Sequence, residues 1–261
     1  MIRHLINRKI LNLIFLFSTV LIFGQDYRLE DFETDSIPIR ENLWKANHSK
    51  EDWVILKTND SIKIKPNDYN YFKGDSLPFG QKEVAKKLNN QYSIRAVKKV
   101  EDGYIIGLNK GEFGGGLWFL SEDGNSSYEI MPYKRIHQIL EFNKKLYVIS
   151  GLAHMGSNYG NLLELKREEN WRVSKTYKLP GAPNLMIREK ENVLIITSEY
   201  LMSFNKYEKL IEILKAPFYW GVLYPSSAII IDNHIYIAMR KGILKISDFY
   251  YNRNYEWYVK K

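Results

Sequence analysis

Apolar runs recur along the chain at a nearly constant interval, and each follows a short polar turn. They begin at Tyr104, Leu146, Val193 and Ile235, which are 42, 47 and 42 residues apart. Val, Ile, Leu and Tyr dominate the runs, as they do in β-strands, and Asp, Asn, Gly or Lys occupy the turns. A recurrence with this period indicates a structural unit that is repeated four times.

Each run is one of four strand-like segments in its unit. The runs are apolar at both alternating sets of positions, which predicts a strand buried on both faces. The last segment of each unit carries interleaved Lys and Glu, which is typical of an exposed edge strand. We therefore predict four antiparallel strands per unit, ordered from the inside outwards. The first strands span 92–100, 136–142, 184–189 and 226–231; the third span 117–121, 162–166, 201–205 and 243–247; the fourth span 127–131, 171–179, 210–214 and 255–260.

Four short antiparallel strands in about 40–45 residues resemble the blade of a β-propeller protein. The resemblance covers roughly residues 26–261 and implies an all-β fold in which the units are arranged as blades. It indicates no closer family. The regular blades would be residues 92–132, 133–180, 181–217 and 218–261.

Residues 26–80 are interpreted as a divergent first unit of the same kind. Segments 53–56 and 61–65 repeat the middle hairpin of a unit, and residues 82–89 predict a short helix. No linker-like stretch divides the chain. The prediction is therefore a single domain, a propeller of five blades with four antiparallel strands each. Four blades with an N-terminal cap and an open sandwich of stacked sheets are the alternatives.

The N-terminus has the pattern of a secretory signal. Residues 1–9 are basic, residues 10–23 are almost wholly apolar, and an acidic stretch follows. Such a run matches the hydrophobic region of a signal peptide and is shorter than the roughly 20 residues of a spanning helix. We predict a signal peptide over residues 1–24; an uncleaved anchor is the alternative. Both place the remaining chain outside the cytoplasm, as a periplasmic, cell-surface or secreted protein.

Composition excludes several classes of site. The chain has no Cys, so neither disulfides nor thiolate metal sites can form. The formal net charge is +8, and the cations beyond the signal are scattered among acids. Because a nucleic-acid groove binder needs clustered cations, nucleic acid is not an expected partner. No two His have metal-ligand spacing and no cofactor motif occurs, so neither a metal nor a cofactor is predicted.

Long loops between the second and third strands distinguish the first two regular units. They span 109–116 and 151–161, whereas the equivalent turns of the last two units span 198–200 and 240–242. In propellers these loops share a face with the connections between blades, and loops on a rigid scaffold concentrate function. One such connection, 217–225, is unusually aromatic. The candidate ligand-binding residues are Glu112, Phe113, His154, Asn158, Tyr159, Phe218, Tyr219 and Trp220.

Several chemical roles are open to these loops. Glu112 and His154 can meet across adjacent units as an acid and a base or as metal ligands, or His154 can be an ordinary solvated histidine. The aromatic group around Trp220 can stack on a sugar ring or a partner side chain, or close the propeller channel as a plug. The glycines at 114–116 precede no helix, so they form no phosphate-binding loop; they allow backbone to approach a ligand or a strand.

Residues 121–128 resemble the aspartate-box turn of sialidase-like propellers. Ser121, Asp123 and Gly124 are present, but the Gly comes one position early and Tyr128 stands where that motif has Trp. In those families the motif stabilises a turn, and an ordinary Asp-Gly hairpin turn is the alternative. A sialidase-like site would also need converging arginines, for which the candidates near strand ends are Arg95, Arg135, Arg188 and Arg240.

The sequence contains no nucleophile elbow, metalloprotease helix or calcium-loop motif. The leading hypothesis is an exported binding protein that recognises a glycan, a peptide or an envelope protein through the loop-rich face. A carbohydrate-active hydrolase or lyase that uses Glu112 and His154 is the alternative. A purely structural role, with association through the outer strand 255–260, is the third. No membrane insertion is expected after signal cleavage, and the oligomeric state is left open.

Overall fold

The chain forms mainly β-structure in the part that the computed structural model describes, which is residues 26–58, 61–68 and 73–261. The predicted signal peptide lies outside these residues. In the described part, no helix is both long and apolar enough to cross a membrane.

Twenty strands and two α-helices make up the described part of the chain. The helices are α1 (Arg40–Asn47) and α2 (Gln81–Lys87), the latter at the position predicted for a helix. In chain order the strands are β1 (Phe32–Asp35), β2 (Trp53–Lys57), β3 (Ile62–Pro66), β4 (Lys73–Gly74), β5 (Ile94–Val100), β6 (Gly103–Asn109), β7 (Gly115–Ser121), β8 (Ser127–Pro132), β9 (Ile136–Phe142), β10 (Lys145–His154), β11 (Ser157–Arg167), β12 (Trp171–Leu179), β13 (Pro183–Glu189), β14 (Asn192–Thr197), β15 (Tyr200–Asn205), β16 (Leu210–Lys215), β17 (Ser227–Ile231), β18 (His234–Met239), β19 (Gly242–Ser247) and β20 (Asn254–Lys260).

Four sheets are each built on four consecutive antiparallel strands. Sheet I contains β5–β8, sheet II β9–β12, sheet III β13–β16 and sheet IV β17–β20, and they coincide with the four predicted regular units. Within each sheet, strands that follow one another in the chain are paired, as short turns between antiparallel strands require. The fold is therefore all-β and propeller-like.

The second strand of each sheet is buried on both faces because it is packed between neighbouring structures. Along β10, Leu146 and Val148 pack in the cluster shared with sheet I, while Tyr147 and Ile149 pack in the cluster shared with sheet III. Alternate residues of a strand point to opposite faces, which explains why these runs are apolar at every position. The fourth strands are more exposed, as their polar sequences predict.

Consecutive sheets pack face to face in chain order. Separate apolar clusters fill the spaces between sheets I and II, II and III, and III and IV. The hairpin β2–β3 packs on the remaining face of sheet IV. Val84 of α2 and Leu88, the residue after the helix, cover the remaining face of sheet I. Removal of this apolar surface from water is the main source of stability for such an arrangement.

Residues 26–80 differ from the predicted four-stranded unit. In the described part of this segment, β2 and β3 form a two-stranded sheet, β1 pairs with β20, and β4 pairs in parallel with β5. The predicted hairpin at 53–56 and 61–65 is confirmed. The four strands predicted for this first unit are corrected: its own sheet has two strands, and β1 and β4 are added to sheets IV and I. The number of blades stays a prediction. β1 goes to sheet IV because it satisfies the backbone groups of an edge strand there.

Candidate binding pocket among the five sheets

A pocket of about 680 Å³ is lined by residues from, or directly next to, all five sheets. Arg95, His137 and Asn184 are each the second residue of the first strand in their sheets. Ser226 directly precedes the first strand of sheet IV, and Asn67 follows β3. Because the units repeat the same path, they bring equivalent positions to one place. The volume is typical of small-molecule sites.

Arg135, in the connection between β8 and β9, fixes the rim of the pocket. Its Nε donates to the carbonyl oxygen of Gly111 at 2.9 Å, and its Nη2 donates to that of Glu112 at 2.7 Å. Its Nη1 donates to the hydroxyl of Tyr159 at 3.1 Å. Arg135 thus ties the long loop of sheet I to β11 with charge-assisted hydrogen bonds, which are stronger than neutral ones.

Two of the three glycines at 114–116 have a local structural reason. Gly114 has φ +101°, a conformation that other residues rarely adopt. A Cβ on Gly115 would lie 2.3 Å from the carbonyl oxygen of Leu108 and 2.5 Å from that of Lys134. Of the two uses predicted for these glycines, Gly115 shows the close approach of neighbouring backbone.

Glu112 and His154 meet at the rim of the pocket. Glu112 lies on the loop of sheet I and His154 at the end of β10, and Oε2 of the first is 2.5 Å from Nε2 of the second. Both side chains are about half exposed. The contact across adjacent units has the geometry for proton exchange between an imidazole and a carboxylate. In the described part of the chain, no group of three or more His, Cys, Asp or Glu is arranged to hold a metal ion.

Other residues predicted on the long loops have different surroundings. Phe113 lines the pocket and is 82% exposed, and Tyr159 is partly exposed beside the rim. Asn158 belongs to the framework, because its Oδ1 accepts hydrogen bonds from the Ala182 backbone N–H and the Ser198 hydroxyl, both at 2.8 Å. These bonds join β11 to sheet III.

Phe218 and Trp220 lie in the core and not on the pocket wall. Trp220 is 0% exposed, and its Nε1–H donates to the carbonyl oxygen of Thr197 at 2.6 Å. The Phe218 ring packs edge-on against Trp257. A 3-10 helix that begins at Trp220 turns this connection inward, so the ligand contact predicted for both rings is corrected. Tyr219 is partly buried, does not line the pocket, and has its pKa raised by burial.

Three basic groups, Lys73, Arg95 and His137, come together on β4, β5 and β9. Burial, and secondarily the charge of Arg95, lower the pKa of Lys73 to about 7. Burial lowers the pKa of His137 to about 4, although its hydrogen bond to the Gly151 carbonyl acts in the opposite direction. Burial also lowers the pKa of Arg95. Three groups that can carry a positive charge thus lie together where burial disfavours their charged forms.

Three of the four arginines named from the sequence converge on this pocket. Arg95, Arg135 and Arg240 line it, whereas Arg188 does not and instead donates to the backbone carbonyl of Glu141. Their convergence follows from their places at strand ends on the same side of the sheets.

Lys73 and His137 are members of this cluster that were not predicted from the sequence. The position of His137 in the repeat could have indicated it, because His137 and Arg95 occupy equivalent places in consecutive units. Lys73 lies on a two-residue strand whose parallel pairing with β5 has no counterpart in the repeat, so no local pattern indicates its position.

Asp52 places a carboxyl group near these cations, at the bridge that pairs it with Arg240. Burial raises the pKa of Asp52 to about 6, against the lowering influence of Asn67, Arg240, the Trp53 backbone and Arg95. The Asn67 side chain and the Trp53 backbone N–H lie near the Asp52 carboxyl group but do not form hydrogen bonds with it. Both carboxyl oxygens of Asp52 are buried without a hydrogen-bond partner among the described residues. Such a carboxylate is destabilising when it is ionised.

Replacement of Asp52 with Asn should stabilise the protein at neutral pH. The folded state holds the proton of Asp52 up to about pH 6, whereas an unperturbed Asp releases it near 3.8. The contribution of this group to stability is therefore present below pH 3.8 and is lost as the pH rises through about 6. At neutral pH, we expect Asp52→Asn to raise the free energy of unfolding by about 1–2 kcal/mol. This is less than the full pKa shift implies, because Asp52 is partly exposed and solvent screens its charge.

Urea unfolding at neutral pH and near pH 4 measures this effect. The gain from Asp52→Asn should shrink at the lower pH, where the folded wild-type protein is already protonated at this site. The exposed Glu33 offers a control, and Glu33→Gln should match the wild type at both values. An Asp52→Asn variant that is less stable than the wild type at neutral pH would contradict the argument.

The turn that resembles an aspartate box is held together by its own side chains. Asp123 Oδ1 accepts hydrogen bonds from the Asn125 backbone N–H at 3.0 Å and the Ser121 hydroxyl at 2.7 Å, and these bonds lower the pKa of Asp123. Ser121 Oγ in turn accepts from the Ser126 N–H at 2.9 Å. None of these residues lines the pocket, and their hydrogen bonds stabilise the turn between β7 and β8.

No protein-family model matches the chain, and no curated protein matches it. Solved structures of propeller type are similar at low identity. A protein of unknown function from Bacteroides thetaiotaomicron is 9% identical with a TM-score of 0.44, over 78% of this chain and 60% of that one. AztD from Citrobacter koseri is 11% identical (TM-score 0.39; 65% and 48% covered). A gluconolactonase from Xanthomonas campestris is 10% identical (TM-score 0.39; 64% and 56% covered). This chain thus spans about half to three fifths of each of these proteins.

Proposed function

We propose that the sheets are blades of one ring, with the hairpin β2–β3 as a short fifth blade, and that the protein is exported to bind a small ligand. The observation that carries the proposal is the convergence of all five sheets on one pocket of about 680 Å³. The ligand is a glycan or a peptide end that enters from the loop-rich face. Export is supported by the basic and then apolar N-terminal sequence.

The construction of the pocket wall supports a binding role. Each lining strand belongs to a packed sheet, and Arg135 fastens the rim loop through three hydrogen bonds. A site that already has its shape loses little conformational entropy when a ligand enters. Binding then depends on side chains that the wall presents without rearrangement.

Phe113 supports a ligand with an apolar face. Its ring lines the pocket and is 82% exposed, which leaves an aromatic surface available at the rim. Such a ring packs against the apolar face of a sugar or against a peptide side chain, and aromatic contacts of this kind contribute about 0.5–1.5 kcal/mol.

A carbohydrate-active hydrolase or lyase is the second candidate, and the contact between Glu112 and His154 favours it. The two groups are 2.5 Å apart at the rim, where a bound sugar would lie within reach of either. In this alternative Glu112 transfers a proton to or from the substrate, and His154 holds the carboxylate in position.

A binding screen with a matched pair of aromatic variants tests the proposed function. Neutral and acidic mono- and oligosaccharides and short peptides are assayed by thermal shift, followed by calorimetry. We expect saturable stabilisation with one class and a dissociation constant that rises about three- to tenfold in Phe113→Ala. Tyr207 is similarly exposed but lies outside the pocket, so Tyr207→Ala should bind like the wild type.

The same ligands distinguish binding from catalysis. Turnover that disappears in Glu112→Gln while binding stays within about twofold would establish the hydrolase or lyase instead. Binding without turnover, and with no effect of Glu112→Gln beyond about twofold, is the result expected for the binding function. If no sugar or peptide binds, the small-ligand proposal is wrong.

A further inference from the structure

We propose that the pocket selects a ligand carrying a carboxylate, sulfate or phosphate group, and that Arg95 binds this group. The inference rests on the binding function proposed above and narrows it to anionic ligands. It concerns the part of the pocket formed by the first strands, which is distinct from the contact between Glu112 and His154 at the rim.

The charged residues of the pocket wall are mostly cations. Four residues that line it are Lys or Arg, and Glu112 is the one carboxylate among the described lining residues. Glu112 lies at the rim with its side chain about half exposed, so solvent screens its charge from the interior. Charges of one sign along a concave, partly dehydrated wall attract a counter-ion more strongly than the same charges on an open surface.

Arg95 differs from the other cations because its donors are not engaged. Arg135 donates to the rim loop, Arg240 donates to the Asn47 backbone carbonyl at 2.7 Å, and Lys110 donates to a side-chain amide at 2.6 Å. Within the described part of the chain, the guanidinium of Arg95 has no hydrogen-bond acceptor. A free guanidinium fork matches two oxygens of a carboxylate, sulfate or phosphate.

The neighbours of Arg95 strengthen the case for an anion. Burial lowers the pKa values of Lys73 and His137, and the positive charge of Arg95 lowers both further. A bound negative group would offset this repulsion and raise both pKa values. Binding of an anion near neutral pH should therefore be accompanied by proton uptake, chiefly at Lys73, whose pKa is about 7.

Asp52 is the charged group that opposes such a ligand. It interacts electrostatically with both Arg95 and Arg240, and its carboxyl is ionised above a pKa of about 6. Removal of this negative charge should favour an anionic ligand and leave a neutral ligand unaffected. The two substitutions, at Arg95 and at Asp52, are thus expected to change anion binding in opposite directions.

Four sugars that differ in one substituent test the inference: glucose, glucuronate, glucose 6-sulfate and glucose 6-phosphate. Inorganic sulfate and phosphate are the probes without a sugar. We expect at least one acidic sugar to bind about tenfold more tightly than glucose, a difference of about 1.4 kcal/mol. Arg95→Gln should remove this preference without changing the binding of glucose, and Asp52→Asn should tighten anion binding about two- to fivefold near pH 7.5. Lys144→Gln removes an exposed charge outside the pocket and should have no effect.

The outcomes separate this inference from the proposed function. If glucose or another neutral ligand of the screen binds as tightly as the acids, the inference is overturned and the binding function stands. If neither the sugars nor the screen shows any ligand, both are overturned. If Arg95→Gln fails to fold, the Asp52→Asn variant decides: anion affinity that is unchanged or weaker in Asp52→Asn contradicts the inference.

Discussion

Replacement of Trp220 with Ala should lower the free energy of unfolding by about 3–5 kcal/mol. The ring is 0% exposed and packs in the cluster between sheets III and IV, together with Leu223 and Trp257. Truncation leaves a cavity of nearly the size of the indole. It also leaves the carbonyl oxygen of Thr197 without the Trp220 Nε1–H. Urea unfolding at constant pH measures the loss.

Trp44 provides a matched control for this substitution. It lies on α1, is 63% exposed and stacks on His48 at 4.2 Å between ring centroids. Because Ala is the best helix former and little apolar surface is lost, Trp44→Ala should change the stability by less than about 1 kcal/mol. Equal effects of the two substitutions would show that Trp220 does not belong to the core. Any loss of ligand binding in Trp220→Ala should accompany unfolding, since the ring is not on the pocket wall.

Replacement of Ile195 with Asp should cost at least about 4 kcal/mol of stability or prevent folding. Ile195 is on β14, between Met186 on β13 and Met202 on β15, and is 0% exposed. Its side chain packs in the cluster between sheets II and III, where a carboxylate would have neither water nor a cationic partner. Circular dichroism and urea unfolding measure the result.

Ile211 gives the control within the same sheet. It lies on the outer strand β16 and is 50% exposed, so the carboxylate of Ile211→Asp would remain in water. We expect this variant to lose less than about 1 kcal/mol. If Ile195→Asp were as stable as Ile211→Asp, the second strands would not be buried between sheets, and the propeller-like arrangement would be wrong.

The sequence determined the four regular units. Each unit is a chain of neighbouring strands joined by short turns, so its pairing partners are close in sequence. The apolar run of β14 and the mixed run of β12 also predict their burial, because a strand shows its two faces in alternate residues. Local pattern was therefore sufficient for the position and order of these strands.

Which strands the residues of 26–80 pair with was decided by the tertiary structure. β1 pairs with β20 across almost the whole length of the chain, and β4 pairs in parallel with β5. The local sequence of these strands is compatible with several partners. The choice depends on which edges the rest of the fold leaves unpaired.

The chemistry of the pocket also depended on the tertiary structure. The sequence predicted Glu112 and His154 on long loops of adjacent units. The two groups do meet, at 2.5 Å, but residues 151–161 form a long hairpin of β10 and β11 and His154 is the last residue of β10. It did not show that Trp220 is turned into the core, because an aromatic connection has the same composition whether it is exposed or buried. Arg95 and His137 are more than 40 residues apart in the sequence and are brought together only when the first strands of sheets I and II pack side by side. The repeat determined which positions are equivalent, and the packing of the sheets determined that these positions share one partly dehydrated pocket.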